Sequence, residues 1–369
     1  MHADIENKAF WHDKRVFITG HTGFKGAWLS LWLQSLGAQV TGYSLNPPSE
    51  TNMYEIANVG DGMQSIYGDV RDADFLAKSL IDAKPEIVLH LAAQSLVLQS
   101  YQTPAETYAT NVMGTVNLLE AVRGSATVKS VVIVTSDKCY DNKEWHWGYR
   151  ENDPMGGFDP YSSSKGCAEL VVDSYRNSFF NPEKYHEHGV AIATARAGNV
   201  IGGGDWAVDR LIPDVVNAFT NKKGLQLRNP ASIRPWQHVL EPLSAYMLLA
   251  QRLFVDGKHY AEAWNFGPNE TDTKSTGWLV ERLAKHWGQD VTYLVENNPD
   301  AQHESVYLRL ECSKAHSKLG WYPVWNIEDA VIQVVSWYQA YQSDEDMKAY
   351  TLNQIMQYQL HRGDRWTAA

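Results

Sequence analysis

One pattern repeats through the first half of the chain: a short, nearly continuous β-branched run, then a stretch long enough for a helix. The runs at 15–20 (RVFITG), 39–44 (QVTGYS), 64–68, 86–91 (EIVLHL), 130–136 (SVVIVTS) and 190–196 (VAIATAR) read as strands. Stretches such as 27–36 and 107–123 between them read as helices. Strands that stay apolar without alternating are covered on both faces, which calls for a parallel sheet with crossover helices. Right-handed crossovers then give a doubly wound, Rossmann-like α/β domain.

After about residue 200 the texture changes. Gly, Pro and Asn become frequent at 202–205 and 229–235, and strand–helix alternation weakens. A further run at 263–267 (AWNFG) is placed to rejoin the sheet, and the final 40 residues read as helix. The expected division is a nucleotide-binding domain of residues 1–198 plus about 236–268. Residues 199–235 and 269–369 then form a smaller C-terminal α/β substrate-binding domain.

Composition removes several classes. A formal charge of −11 argues against a protein that grips nucleic acid through a broad basic face. No run approaches the ~18 apolar residues of a membrane span, and the polar, mixed-charge start (MHADIENKAFWHDKR) lacks the apolar region of a secretory signal. Cys139, Cys167 and Cys312 are far apart, without a CxxC pair, so a disulfide framework or structural zinc is not expected. His186-Glu187-His188 offers two ligands in a polar loop with no further ones nearby, and no metal is expected there. The expectation is a cytoplasmic enzyme or binding protein that works on small molecules.

The sequence VFITGHTGFKGAWL places Gly20, Gly23 and Gly26 where the first strand meets the first helix. Missing side chains at that turn let backbone N–H groups and the helix dipole approach a pyrophosphate. The GxxGxxG spacing resembles the extended short-chain dehydrogenase/reductase superfamily. That resemblance implies a dinucleotide over Gly20, Gly23, Phe24, Lys25 and Gly26, with adenine near Asp69 and Val70 in GDVRD. It also implies cofactor contact at Leu91, Ala92, Ala93 and Gln94 in LAAQSL. NAD-using members usually end the second strand with an acid that holds the ribose; here the matching residue is Ser44. No Arg follows to take a 2′-phosphate, so NAD is expected over NADP, with a loosened grip.

Tyr161 and Lys165 are the only YxxxK in the chain, a spacing of which about one instance is expected by chance. Position gives it weight, because the pair follows the fifth strand by one loop and shares a helix face. An ammonium beside a phenol favours phenolate and lowers a pKa that is normally ~10. The resemblance implies that Tyr161 takes a proton from a sugar hydroxyl, with Lys165 and Ser136 assisting. After Ser136 comes Asp137, where nucleotide-sugar epimerases carry small residues and 4,6-dehydratases place an acid for eliminating water. Lys138 stands where the best-known dehydratases have Glu, and is read either as the base at C5 or as a charge that neutralises Asp137.

Taken with ARAGNVIGGGDW and RPWQHVLEPL, these motifs resemble the CDP-glucose branch of the nucleotide-sugar 4,6-dehydratases over nearly the whole chain. The resemblance implies substrate contacts at Ser95, Asn199, Arg210 and Arg234, the two arginines offering planar forks to a diphosphate. Tyr307 stands where thymidine-specific relatives carry an Arg and is placed with the substrate on that ground. Trp145 and Trp147 flank His146 in a polar loop, placed either to cover the site or to pack locally. The implied partners are CDP-glucose and a second copy of the chain, paired through 108–119 and 165–179 into a homodimer or a tetramer. A C4 epimerase of the same fold and a catalytically silent nucleotide-sugar binder are the alternatives.

Overall fold

The computed structural model describes residues 8–221, 224–290, 293–295 and 307–367. Its centre is a seven-stranded sheet of β1 (Arg15–Thr19), β2 (Gln39–Ser44), β3 (Gln64–Tyr67), β4 (Ile87–His90), β5 (Ser130–Val134), β6 (Ala191–Ala197) and β7 (Ala263–Phe266). The spatial order is β7-β6-β5-β4-β1-β2-β3, with every neighbouring pair parallel. Strand order reverses between β1 and β4, so the crevice at the carboxyl ends of those strands is where a doubly wound fold binds its ligand.

Burial explains why the strands lack alternation. All residues of β4, β5 and β6 are buried, whereas β3 at the edge is only partly covered. The pleat still divides the side chains between two cores. Val16, Ile18, Val132 and Val134 face one core, with Trp28 and Trp32 of α1 (Phe24–Ser35) and Tyr246. Phe17, Val131 and Ile133 face the other, with Leu76 and Leu80 of α2 (Ala73–Ala83), Leu118 of α3 (Gly114–Arg123) and Val172 of α4 (Pro160–Ser178).

The expected helix at 107–123 is broken in two. Helix Pro104–Tyr108 passes through a wide turn at Ala109–Met113 before α3 begins. The extra residue in that turn brings Asn111 onto the loop after β4, where it accepts from Gln94 N (2.9 Å) and donates to Gln94 O (2.9 Å) and Ser164 Oγ (2.8 Å). The run at 263–267 does rejoin the sheet as β7, beside β6. The stretch expected to be helical at the C-terminal end holds two helices among the described residues, Ile327–Gln342 and Met347–Thr367. They part where Asp344 takes φ +55°.

Beyond β6 three short ladders build the far wall of the crevice. Val200–Ile201 pairs parallel with Gln237–His238, and Ile233–Pro235 pairs antiparallel with Thr273–Ser275. Leu225–Leu227 pairs parallel with Tyr293–Val295. α5 (Leu211–Asn221), α6 (Leu240–Tyr260) and α7 (Thr276–Trp287) pack behind them, α6 lying directly against β5 and β6.

Candidate active site

A cavity of about 1740 Å³ runs along the carboxyl ends of the strands. Its wall includes every residue assigned from sequence to cofactor, substrate or catalysis except Tyr307. Tyr307 lies beside the wall, next to Leu308 on it: its carbonyl accepts from Asn142 Nδ2 (3.0 Å), its ring meets His146, and its backbone bridges Ile233. Trp145 and Trp147 are also off the wall; they pack on each other, and Trp145 stacks on Tyr149.

At one end the three glycines have different physical reasons. Gly20 has φ +80°, and a Cβ there would lie 2.8 Å from Ala92 N. A Cβ on Gly26 would lie 2.0 Å from Gly20 O, so that residue is demanded by packing of α1 on the turn. Gly23 has only Gly20 O at 3.4 Å, and it caps α1 without any side-chain cap. The protein itself has room for a side chain at Gly23, so what its absence keeps open is the cavity. The N–H groups of the first turn, at Phe24, Lys25 and Gly26, have no intrahelical acceptor. An uncapped helix start under a bare glycine fits a pyrophosphate, so these residues suit a dinucleotide.

Ser44 does not stand alone at the ribose end. Its hydroxyl is 2.8 Å from Thr22 Oγ1, which also donates to Leu45 O (3.0 Å). Asp69 accepts from the Arg71 guanidinium through both carboxylate oxygens, which lowers its pKa. His21, not singled out from sequence, fills the space over Gly42, and burial pushes its pKa down to about 4.

Tyr161, Lys165, Ser136, Asp137 and Lys138 meet at the middle of the cavity. Asp159 starts α4 by accepting from Ser162 N (2.9 Å) and Ser162 Oγ (2.6 Å), which aims the first turn, with Tyr161, at the end of β5. Burial raises the Tyr161 pKa to about 12, while a hydrogen bond with Ser136 and the charge of Arg210 pull it back. Desolvation is the larger effect on the phenol and opposes the lowering expected from Lys165. Burial also lowers Lys165 to about 8, and its ammonium donates to Val134 O at 3.3 Å. Lys25 is lowered to about 8 by burial and by the charges of Arg210 and Lys165.

Asp137 is 3% exposed, and burial raises its pKa against the charges of Lys138, Arg234 and Lys25. Its Oδ1 accepts from Ser136 Oγ (3.0 Å), and a Cβ on Gly198 would lie 2.5 Å from its Oδ2. A buried carboxyl that resists ionisation is suited to giving up a proton.

Toward the far end Arg210 spans the cavity, with Nη1 on Asp205 Oδ2 (3.1 Å) and Nη2 on Ser95 Oγ (3.0 Å). Asn199 and the buried Arg234 lie on the same wall. Asp205 and Thr22 were missed from sequence, although Asp205 stands five residues before Arg210 in GGGDW. Among the described residues no three His, Cys, Asp or Glu side chains gather as a metal site, and no helix is long and apolar enough to cross a membrane.

A parallel sheet in this order, a glycine turn after β1 and a Tyr–Lys pair over the end of β5 define a short-chain dehydrogenase/reductase. The chain belongs to the GDP-mannose 4,6 dehydratase family, whose family model matches residues 17–334. It is 55% identical over 354 residues to the CDP-glucose 4,6-dehydratase of Salmonella typhimurium, covering 95% of this chain and 98% of that one. The dTDP-glucose 4,6-dehydratase of Bacillus anthracis, solved in complex with NAD, superposes with TM-score 0.73 at 22% identity. That match covers 89% of this chain and 98% of the other. UDP-glucose 4-epimerase of Thermotoga maritima gives TM-score 0.76 at 19% identity, covering 89% and 99%.

Proposed function

We propose that the chain removes water from CDP-glucose to give CDP-4-keto-6-deoxyglucose, with NAD as a cofactor that is regenerated in each cycle. The observation that carries this reading is the 55% identity with a CDP-glucose 4,6-dehydratase along almost the full length of both chains. The cavity supports it: Ser136, Asp137, Lys138, Tyr161 and Lys165 share one wall segment beside an uncapped helix start.

Gly20, Gly23, Phe24, Lys25, Gly26, Ser44, Asp69, Val70 and Leu91–Gln94 hold the dinucleotide. NAD bound there would supply the acceptor for the C4 hydride of the glucosyl unit and the donor of that hydride to C6. Tyr161 takes the C4 hydroxyl proton, and Ser136 orients that hydroxyl. A ketone at C4 acidifies the C5–H, which is why oxidation precedes elimination. Lys138 takes the C5 proton, and Asp137 protonates the departing C6 hydroxyl, as its burial favours. A second reading of Lys138 rests on its charge, which opposes the upward shift of Asp137; in that reading it only balances the carboxylate. Ser95, Asn199, Arg210 and Arg234 take the sugar nucleotide.

In the same reading, residues 1–198 with about 236–268 form the cofactor domain, and 199–235 with 269–369 form the sugar-nucleotide domain. The protein works in the cytoplasm, in deoxysugar biosynthesis of the O-antigen type. It pairs as a homodimer, or a tetramer, through the helices that expose Met113 (51%) and Leu170 (60%).

The test is incubation of purified protein, with and without added NAD, with CDP-glucose, dTDP-glucose, GDP-mannose and UDP-glucose. Loss of one water from CDP-glucose, seen by mass and by 4-keto absorbance in alkali, is the expected result. An isomerised sugar of unchanged mass overturns it in favour of an epimerase, and tight binding without conversion in favour of a silent binder.

A further inference from the structure

We propose that the buried Glu169–Arg196 ion pair is a positioning device that clamps both ends of the turn carrying Asp137 and Lys138. The inference deepens the dehydratase reading above and rests on it.

The turn itself is a single short one, Asp137–Cys139, steadied from within by the Ser136 hydroxyl accepting from Lys138 N at 3.2 Å. Ser136 O also accepts from Cys139 N at 3.3 Å, and Cys139 O from Gly156 N at 2.8 Å, so the backbone of the turn is tied locally and its aim depends on how the residues at either end are held. On the entering side, Thr135 donates its hydroxyl to Glu169 Oε1 at 2.5 Å. On the leaving side, Arg196 Nη1 donates to the Tyr140 hydroxyl at 2.7 Å, and the guanidinium lies 5.0 Å from the Tyr140 ring centre. Tyr140 in turn donates to Asn265 Oδ1 at 2.7 Å. The two holders are bound to each other, Arg196 Nη2 to Glu169 Oε2 at 2.7 Å, with side chains 4% and 3% exposed. Thr194 donates to the same Oε2 at 2.8 Å.

Placement follows from the fold. Glu169 lies one helical turn beyond Lys165 and two beyond Tyr161, on the same face of α4. Arg196 projects from β6. The pair therefore ties α4, β6 and the end of β5 into one unit around the reacting residues. Burying two charges is costly, and their attraction offsets that cost only when further hydrogen bonds are satisfied. Apolar side chains of equal volume would fill this space as well. They would not hold the Thr135 and Tyr140 hydroxyls at fixed positions on both sides of one turn. Glu169 also opposes the burial effect at Lys165, so its charge supports the ammonium as well as the turn.

The experiment compares wild type, Glu169→Gln and Thr135→Val under saturating CDP-glucose and NAD. It follows 4-keto product, NADH absorbance during turnover, KM and the melting midpoint. Thr135→Val removes one bond and leaves the ion pair, so it carries the test where the Glu169 variant does not fold. A turn released by about 1 Å loses on the order of 10- to 100-fold in kcat. The expected result is that loss, with KM changed less than threefold and NADH building up because elimination lags oxidation. Wild-type kcat in a folded Thr135→Val overturns the clamp, as does a loss that matches the fall in folded fraction without NADH build-up. A wild-type protein that converts nothing overturns the dehydratase reading itself, and this inference with it.

Discussion

Lys165→Met separates what the site costs the fold from what it contributes to chemistry. Lys165 is 6% exposed, and its ammonium makes one hydrogen bond, to Val134 O at 3.3 Å. Desolvation brings its folded pKa from 10.5 to about 8 despite the attraction of Glu169. Below about pH 8 the folded and unfolded chains both hold the proton, and the folded state bears the full cost of a desolvated charge. Between about 8 and 10.5 the folded chain releases its proton first, and the cost fades as pH rises. Above 10.5 nothing of it remains. The interval corresponds to about 3 kcal/mol at ~1.4 kcal/mol per tenfold change.

Methionine keeps the length and the apolar contacts of the stem without the charge. The variant is therefore expected to gain about 1–3 kcal/mol of stability at pH 7, the lower figure allowing for the lost Val134 bond. Turnover falls by at least about 100-fold over the same substitution. The assay is urea unfolding of both proteins at pH 7, 8, 9 and 10, followed by tryptophan fluorescence. Only the difference between them is used, so that groups titrating in both cancel. A variant less stable than wild type at pH 7, or a difference that does not shrink by pH 10, refutes the reasoning.

Three other outcomes follow from the same geometry. Gly23→Ala keeps the wild-type melting midpoint, because its Cβ meets only Gly20 O at 3.4 Å, but weakens NAD binding at least about tenfold in a fluorescence titration; Gly26→Ala, with Gly20 O at 2.0 Å, lowers the melting midpoint itself. Tyr161→Phe lowers kcat by about 100- to 10,000-fold with little change in CDP-glucose affinity, measured by steady-state kinetics beside calorimetric binding. Lys138→Met accumulates NADH and exchanges no C5 deuterium if Lys138 is the base; retained exchange assigns Lys138 to balancing Asp137 and leaves the base elsewhere.

Much of the sheet was legible because its signal is local. A run such as SVVIV is apolar at every position, and such a run between helices has few homes other than the middle of a parallel sheet. Strand ends were read one or two residues long at β4 and β5, because Leu91 after one and Thr135 after the other still favour an extended backbone while the chain turns away to line the cavity. The helix break at Ala109–Met113 was not legible, since nothing in ATNVM forbids a regular turn. It is the tie between Asn111 and Gln94 that makes the wider turn worthwhile.

The site divides in the same way. Gly20, Tyr161, Lys165 and Asp137 could be singled out because their motifs follow β1 and β5 at set places, and the fold brings all four to one cavity. The burial that acts on those residues was not legible, and on the Tyr161 phenol it opposes the lowering expected from Lys165. Desolvation is a property of everything packed around the group rather than of its neighbours in the chain. Thr22 beside Ser44, Asp205 on Arg210 and the Glu169–Arg196 pair under the Asp137 turn all join residues whose types are ordinary in isolation. Sequence alone thus determined the architecture and the candidate groups that share the cavity, because periodicity and motif spacing are written along the chain. Tertiary structure alone decided how strongly burial acts on those groups and what holds them in place, because burial and partnership exist only once distant segments are brought together.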